Sequence, residues 1–141
     1  MNQAEGQTEW TRIEPGLEGT CERVVLPEWT LAYYDSNFPA VFSTPAMIGM
    51  MEMATSCAIH PVLPPGTLTV GTRIEVDHLK AVPAGTSIVS QAKLVEVNGR
   101  YLTFEVEAWS GTDLIGRGRV FRAVVSYARF LAKAAEKPAT T

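Results

Sequence analysis

The chain changes its hydrophobic rhythm once, at residues 44–59. That stretch, TPAMIGMMEMATSCAI, is apolar on every side at helical spacing, whereas most later segments alternate apolar and polar residues with period two. The first pattern predicts a helix. Pro45 suits the first helical position and makes Thr44 the expected N-cap. Alanine and methionine favour the interior. His60-Pro61, with Pro64-Pro65-Gly66 beyond, ends the helix, and His60 is expected to cap it. A helix apolar all round is expected to be buried all round, with its methionines and Cys57 as core filler. Its one charge is Glu52, and a lone buried carboxylate is costly unless something uses it.

The period-two segments predict strands. Gly19 to Leu26 is the first, closed by Pro27. Residues 28–43 form an irregular connection rich in aromatics (Trp29, Tyr33, Tyr34, Phe38, Phe42). They read most simply as a loop packed over the core, and otherwise as a pocket lining or a shield for the helix start. After the helix, Leu68 to Lys80 places Val70, Thr72, Ile74, Val76 and His78 on one face and Arg73, Glu75 and Asp77 on the other. The apolar face looks at the core, so His78 is expected on the helix side. Pro83-Ala84-Gly85 marks a turn. Thr86 to Val97 and Tyr101 to Trp109 flank the hairpin signal Asn98-Gly99, and Leu114 to Tyr127 is the last strand. A short helix is expected after Phe130. The order is strand, apolar helix, then an antiparallel four-strand meander: an α+β fold with one sheet wrapped around a central helix. Residues 1–15 read as a flexible segment, 16–134 as a single domain and 135–141 as a flexible tail. The helix side away from the sheet needs a cover, which a second subunit would supply as a homodimer, with tetramers as a further level.

Composition narrows the function. The 141 residues suit one domain, and the net charge of −3 argues against nucleic acid as the main partner. Two cysteines, Cys21 and Cys57, suggest neither a disulfide framework nor a metal site. The polar N-terminus lacks a secretory pattern, and the helix is shorter than the roughly 20 residues that cross a bilayer. A cytoplasmic protein without a membrane partner is the resulting expectation.

Several local motifs carry a resemblance: Val41 to Glu52 (VFSTPAMIGMME), Gly71-Thr72, Asp77-His78, Ile115-Gly116-Arg117-Gly118 and Arg122. From about Thr20 to Lys133 the chain resembles the fluoroacetyl-CoA thioesterase family of hot-dog enzymes. The resemblance implies a hot-dog fold and hydrolysis of an acyl-CoA, small acyl groups fitting best. It requires no cofactor, coenzyme A being part of the substrate. It also implies a catalytic set of Thr44, Glu52 and His78, with Gly71 near the thioester carbonyl and Arg122 as a further substrate-binding residue. The family gates its pocket with loop phenylalanines. Phe38 matches one of them and Asp35 stands near the other, so acyl-CoA hydrolysis is implied more firmly than selectivity for fluoroacetyl.

The chemistry suits those residue types. A thioester carbonyl needs attack, an oxyanion site and a proton source. Glu52 supplies attack, as nucleophile or as base on water. His78 relays a proton or orients its neighbours. Thr44 hydrogen-bonds water, histidine or substrate, and the free N–H groups of the helix start favour an oxyanion. Thr44 and Glu52 lie eight residues apart, roughly 12 Å along the axis, so no direct bond between them is expected. Lys80, Arg73, Arg117, Arg119 and Arg122 are candidates by type for the phosphates of coenzyme A. Two other readings remain. A hot-dog hydratase or dehydratase would use a clustered aspartate and histidine, but Asp77 and His78 alternate to opposite faces. A non-catalytic module would bind acyl-CoA without turning it over.

Overall fold

The computed structural model describes residues 12–136. The chain runs through β1 (Glu18–Val24), a 3-10 turn (Pro27–Trp29) and the single-turn helix α1 (Leu31–Tyr34). There follow the long helix α2 (Thr44–Ile59), a 3-10 turn (His60–Val62), β2 (Thr67–His78) and β3 (Ser87–Asn98). β4 (Tyr101–Ser110), β5 (Asp113–Ser126) and α3 (Tyr127–Ala134) complete it. All five strands form one antiparallel sheet in the order β1-β3-β4-β5-β2, and α2 touches every strand.

The sheet corrects the four-strand meander. β3, β4 and β5 do meander, but β2 pairs with β5 at the far edge and never meets β3. The Leu79–Thr86 connection explains why. It is pinned under the loop before α2, by Phe42 N–H to Val82 O (2.8 Å) and a bridge between Val41 and Pro83, and by Gly85 N–H to Val25 O (2.8 Å). It therefore crosses from one sheet edge to the other instead of folding back as a hairpin.

Two rows of small residues let α2 lie close to the sheet. Across the strands, Cys21, Ser90, Ala108 and Gly116 line up with His78, and Gly19, Ala92, Val106 and Gly118 with Val76. A side chain at Gly19 would meet the backbone of Ala54 and Ala58, and one at Gly116 would meet the Met47 sulfur. The opposite face of the sheet is charged. Glu18, Lys93, Glu105, Arg119 and Glu75 form a row of alternating sign across all five strands, with opposite charges set beside one another on neighbouring strands.

Other expectations shift in detail. The helix is not buried all round: Met47, Met50, Met51, Ala54, Thr55, Ala58 and Ile59 are covered, while Thr44, Pro45, Met53 and Cys57 are exposed. One sheet covers one side of a cylinder, so Cys57 is a surface thiol and not a core residue. His60 caps α2 at its C-terminus. The segment thought flexible lies mostly outside the described residues, but Ile13 is buried in the core and Gly16 N–H donates to Leu94 O at 2.7 Å. Residues 13–17 are thus anchored. The end of the chain forms its helix earlier than expected, because Ser126 caps α3 by accepting from Arg129 N–H at 3.3 Å. Residues 137–141 lie outside the described part.

Candidate active site

The start of α2 differs from the expectation in a way that matters. Ser43, not Thr44, is the N-cap: its extended backbone (ψ 151°) precedes the helix, and its buried hydroxyl accepts from Ala46 N–H at 3.3 Å. Ser43-Thr44-Pro45 allows either hydroxyl to cap, since proline is tolerated at both first positions. The cap leaves Thr44 Oγ1 free, and it lies 2.8 Å from His78 Nδ1. His78 ends β2 on the helix side, paired with Gly116, and the edge of its ring meets Phe42 at a centroid distance of 6.2 Å. Burial pushes the His78 pKa below the usual imidazole value, with the Lys80 backbone pulling part of the way back. The neutral ring is therefore favoured at neutral pH, with one nitrogen available to accept a proton. Its Nε2 is buried and finds no hydrogen-bond partner among the described residues.

Substitutions should separate cap from chemistry. Ser43→Ala is expected to cost about 1 kcal/mol of stability, read as a lower melting temperature. Thr44→Val should leave the melt nearly unchanged and lower kcat, because Ala46 keeps its cap while the contact with His78 is lost.

Glu52 lies two turns further along α2 and has a partner. Arg122 Nη1 donates to Glu52 Oε2 at 3.0 Å, so the carboxylate is not the unpaired charge that the helix sequence suggests. The pair is lopsided in exposure: the Glu52 side chain is 38% exposed and the Arg122 side chain 9%. Burial lowers the Arg122 pKa and Glu52 offsets this, and a guanidinium stays charged at neutral pH regardless. Nε donates to Thr69 Oγ1 at 2.9 Å and Nη2 to the Thr69 carbonyl at 3.0 Å. Arg122 is thus committed inside the sheet rather than presented to a phosphate.

A bulge makes this possible. The register of β2 against β5 slips between Gly71 and Arg73. Gly71 faces Glu52, and an added Cβ would stand 2.6 Å from Glu52 Oε2. The slip also corrects the strand alternation: Thr72 is exposed and bonds back to Phe121 O at 3.2 Å, while Ile74, Val76 and His78 keep the helix side. Because the atom in the way is the end of a flexible side chain, Gly71→Ala should fold normally and displace the carboxylate. The expected result is a loss of about a hundredfold in kcat, the scale of an ångström-sized misplacement, with the melting temperature as control.

The candidate residues therefore fall into two groups, Thr44 with His78 and Glu52 with Gly71 and Arg122. No hydrogen bond joins Glu52 to Thr44 or His78 among the described residues, in keeping with the helical rise between them. Phe38 is half exposed in the turn after α1, its N–H donating to Asp35 O at 2.9 Å, with Tyr33 and Tyr34 also exposed. Phe42 is buried and Trp29 packs on the core, so the aromatic connection is partly ordinary packing. Asp77 points to the charged face, away from His78. The cationic candidates Arg117 and Arg119 lie there too, while Arg73 pairs with Glu75 and Lys80 with Asp113 at 2.8 and 2.7 Å. Sequence reasoning missed Ser43 and Thr69, and named Phe42 only among the loop aromatics, without its contact with His78. No local signal marks Thr69, whose role depends on the β2–β5 register.

Comparison with known proteins agrees with this architecture. Residues 25–128 match the family described as FlK, fluoroacetyl-CoA-specific thioesterase. A fluoroacetyl-CoA thioesterase from Streptantibioticus cattleyicolor is 42% identical over 102 residues, 72% of this chain and 73% of that protein. The solved structure of the fluoroacetyl-CoA thioesterase FlK superposes with a TM-score of 0.83 at 37% identity, covering 90% of this chain and 98% of that one. A variant of FlK in complex with acetyl-CoA gives a TM-score of 0.82 at 37% identity over 86% and 96%. The helix-wrapping sheet is the hot-dog fold, and the chain, a thioester hydrolase, belongs to the fluoroacetyl-CoA-specific thioesterase family.

Proposed function

We propose that this enzyme hydrolyses the thioester of a small acyl-CoA, with Glu52 supplying the attack and Thr44 and His78 serving the proton transfers. The observation that carries the reading is the Glu52 carboxylate. One oxygen is held by a buried arginine against a glycine bulge, while the side chain stays open enough to meet water or substrate. No hydrogen bond to Oε1 is found among the described residues. Glu52 either attacks the carbonyl carbon directly or takes the proton of an attacking water. In the water route the C–S bond then breaks, and the proton held by Glu52 reaches the departing thiolate through the neutral His78 ring, hydrogen-bonded to Thr44. In the direct route the thiolate leaves as a mixed anhydride forms on Glu52, and His78 takes the proton of the water that hydrolyses this anhydride and passes it to the thiolate. At the helix start, Ala46 N–H goes to the Ser43 hydroxyl, Met47 N–H to the Ser43 carbonyl, and Pro45 has none. The Thr44 N–H is the donor left for the oxyanion.

The small acyl group is supported by the relatives, whose names specify fluoroacetyl-CoA and one of which was solved with acetyl-CoA. Asp35 beside the exposed Phe38 favours a more open entrance than a pair of aromatics would make. The open side of α2, with Met53 and Cys57 exposed, is the face that a second copy would cover in a homodimer. In such a dimer the two residue groups would complete one site from both chains.

The test is thiol release from acetyl-, fluoroacetyl-, butyryl-, longer-chain and phenylacetyl-CoA, with wild type and Glu52→Gln side by side. Turnover of the short acyl groups, lost in the variant, is the expected result. Full activity in Glu52→Gln would overturn the mechanism. Binding without turnover across the panel would favour an acyl-CoA-binding module.

A further inference from the structure

We infer that Thr69 is a positioning residue for the reaction: it occupies the fork of Arg122 so that Glu52 is held by a single hydrogen bond and keeps one oxygen free to react. The inference rests on the proposed role of Glu52. Arginine clamps carboxylates most strongly through two parallel N–H groups on one edge of its guanidinium. Here that edge, Nε and Nη2, is given entirely to one residue, at 2.9 Å to the Thr69 hydroxyl and 3.0 Å to the Thr69 carbonyl. Nη1 alone reaches Glu52, at Oε2. Threonine at this place does two things. Its carbonyl and hydroxyl together fix the plane of the guanidinium, and so the position of Oε2 beside Gly71. Its hydroxyl also keeps Nε from turning onto the carboxylate.

The backbone sets up the arrangement. Gly71 is the register partner of Arg122, and Thr69 lies two residues earlier on the same strand, before the bulge. Its side chain therefore emerges on the same face as Gly71, one step along from the base of Arg122. A residue with no side-chain acceptor would take away the partner of Nε inside the sheet, and the side-chain acceptor that remains among Arg122's described contacts is the carboxylate it already holds. A two-pronged clamp on Glu52 would then compete with attack on the thioester.

Thr69→Val keeps the branched shape of a strand residue and removes the acceptor. The expected result is a loss of about tenfold in kcat, the scale of one hydrogen bond to a charged group, with KM within about twofold of wild type. Thr69→Ser, which restores the hydroxyl, should recover most of kcat. Thr69→Ala serves as a second hydroxyl-free variant if the valine variant does not fold by circular dichroism, and Glu52→Gln is assayed alongside on the same acyl-CoA. Wild-type kcat in a folded hydroxyl-free variant, with Glu52→Gln inactive, overturns the inference and leaves the proposed mechanism standing. A rise in KM at constant kcat, or a serine variant as slow as the valine one, also overturns it. Full activity in Glu52→Gln removes the mechanism itself.

Discussion

Glu52→Gln is expected to lower kcat by about a thousandfold, within the range that a positioned base contributes, while the protein stays folded. Glutamine has the shape of glutamate, and its carbonyl oxygen can still accept from Arg122 Nη1, which lies 3.0 Å from Oε2 in the native chain. Gly71 leaves the same space beside it. What the amide cannot do is take a proton from water or attack a carbonyl carbon. The loss should therefore fall on kcat, with KM changing little. The stability cost is limited because the Glu52 side chain is 38% exposed and the neutral variant keeps a hydrogen bond. Thiol-release kinetics with a thermal melt separate the two effects. Activity within tenfold of wild type, in a folded variant, would mean that the attacking group lies elsewhere.

Gly19→Ala should produce a large loss of stability. The new Cβ would overlap the Ala54 carbonyl oxygen and the Ala58 nitrogen, and would stand 2.9 Å from Ala58 Cα. These are backbone atoms in the C-terminal part of the helix and cannot turn aside as a side chain can. Either α2 lifts from β1 or β1 slides on β3, and each breaks packing among Cys21, Ala54, Ala58 and their neighbours. Overpacking of this kind costs about 1–3 kcal/mol where the core can adjust, and more where it cannot. For a domain of this size the melting temperature should fall by roughly 10 °C. Gly49→Ala is the matched control: it has no atoms within 4 Å of its added Cβ, and alanine favours the helix. An unchanged melt for Gly19→Ala would mean that the helix is not seated on β1 as closely as described.

The fold was legible to different depths in different places. The long helix was visible to within one residue, because proline marks both ends and the apolar composition between them admits little else, though its cap was placed on Thr44 instead of Ser43. The strands were found within a residue or two, since period-two alternation is a local property. Strand order was not visible. Pro83-Ala84-Gly85 turns in the same way whether it closes a hairpin or crosses the sheet, and only the pinning of Val82, Pro83 and Gly85 by distant segments decides. The placing of His78 on the helix side followed from strand parity, and its contact with Thr44 came with the structure. The pairing of Glu52 with Arg122 did not follow from parity, for it depends on a bulge at Gly71 that reverses the parity of the first half of β2. Arg122 was singled out through resemblance as a substrate-binding residue, whereas its described contacts are with Glu52 and Thr69.

Ser43 anchors the helix and Thr44 meets His78. Had one hydroxyl done both, every change at that position would have carried a penalty in folding, and a lineage exploring new chemistry would have been filtered through its least stable members. With the tasks on neighbouring residues, position 44 can be sampled by drift. Serine, cysteine or alanine there leaves the Ser43 cap in place and alters only what meets His78. Change at position 44 can thus proceed through folded intermediates one substitution at a time.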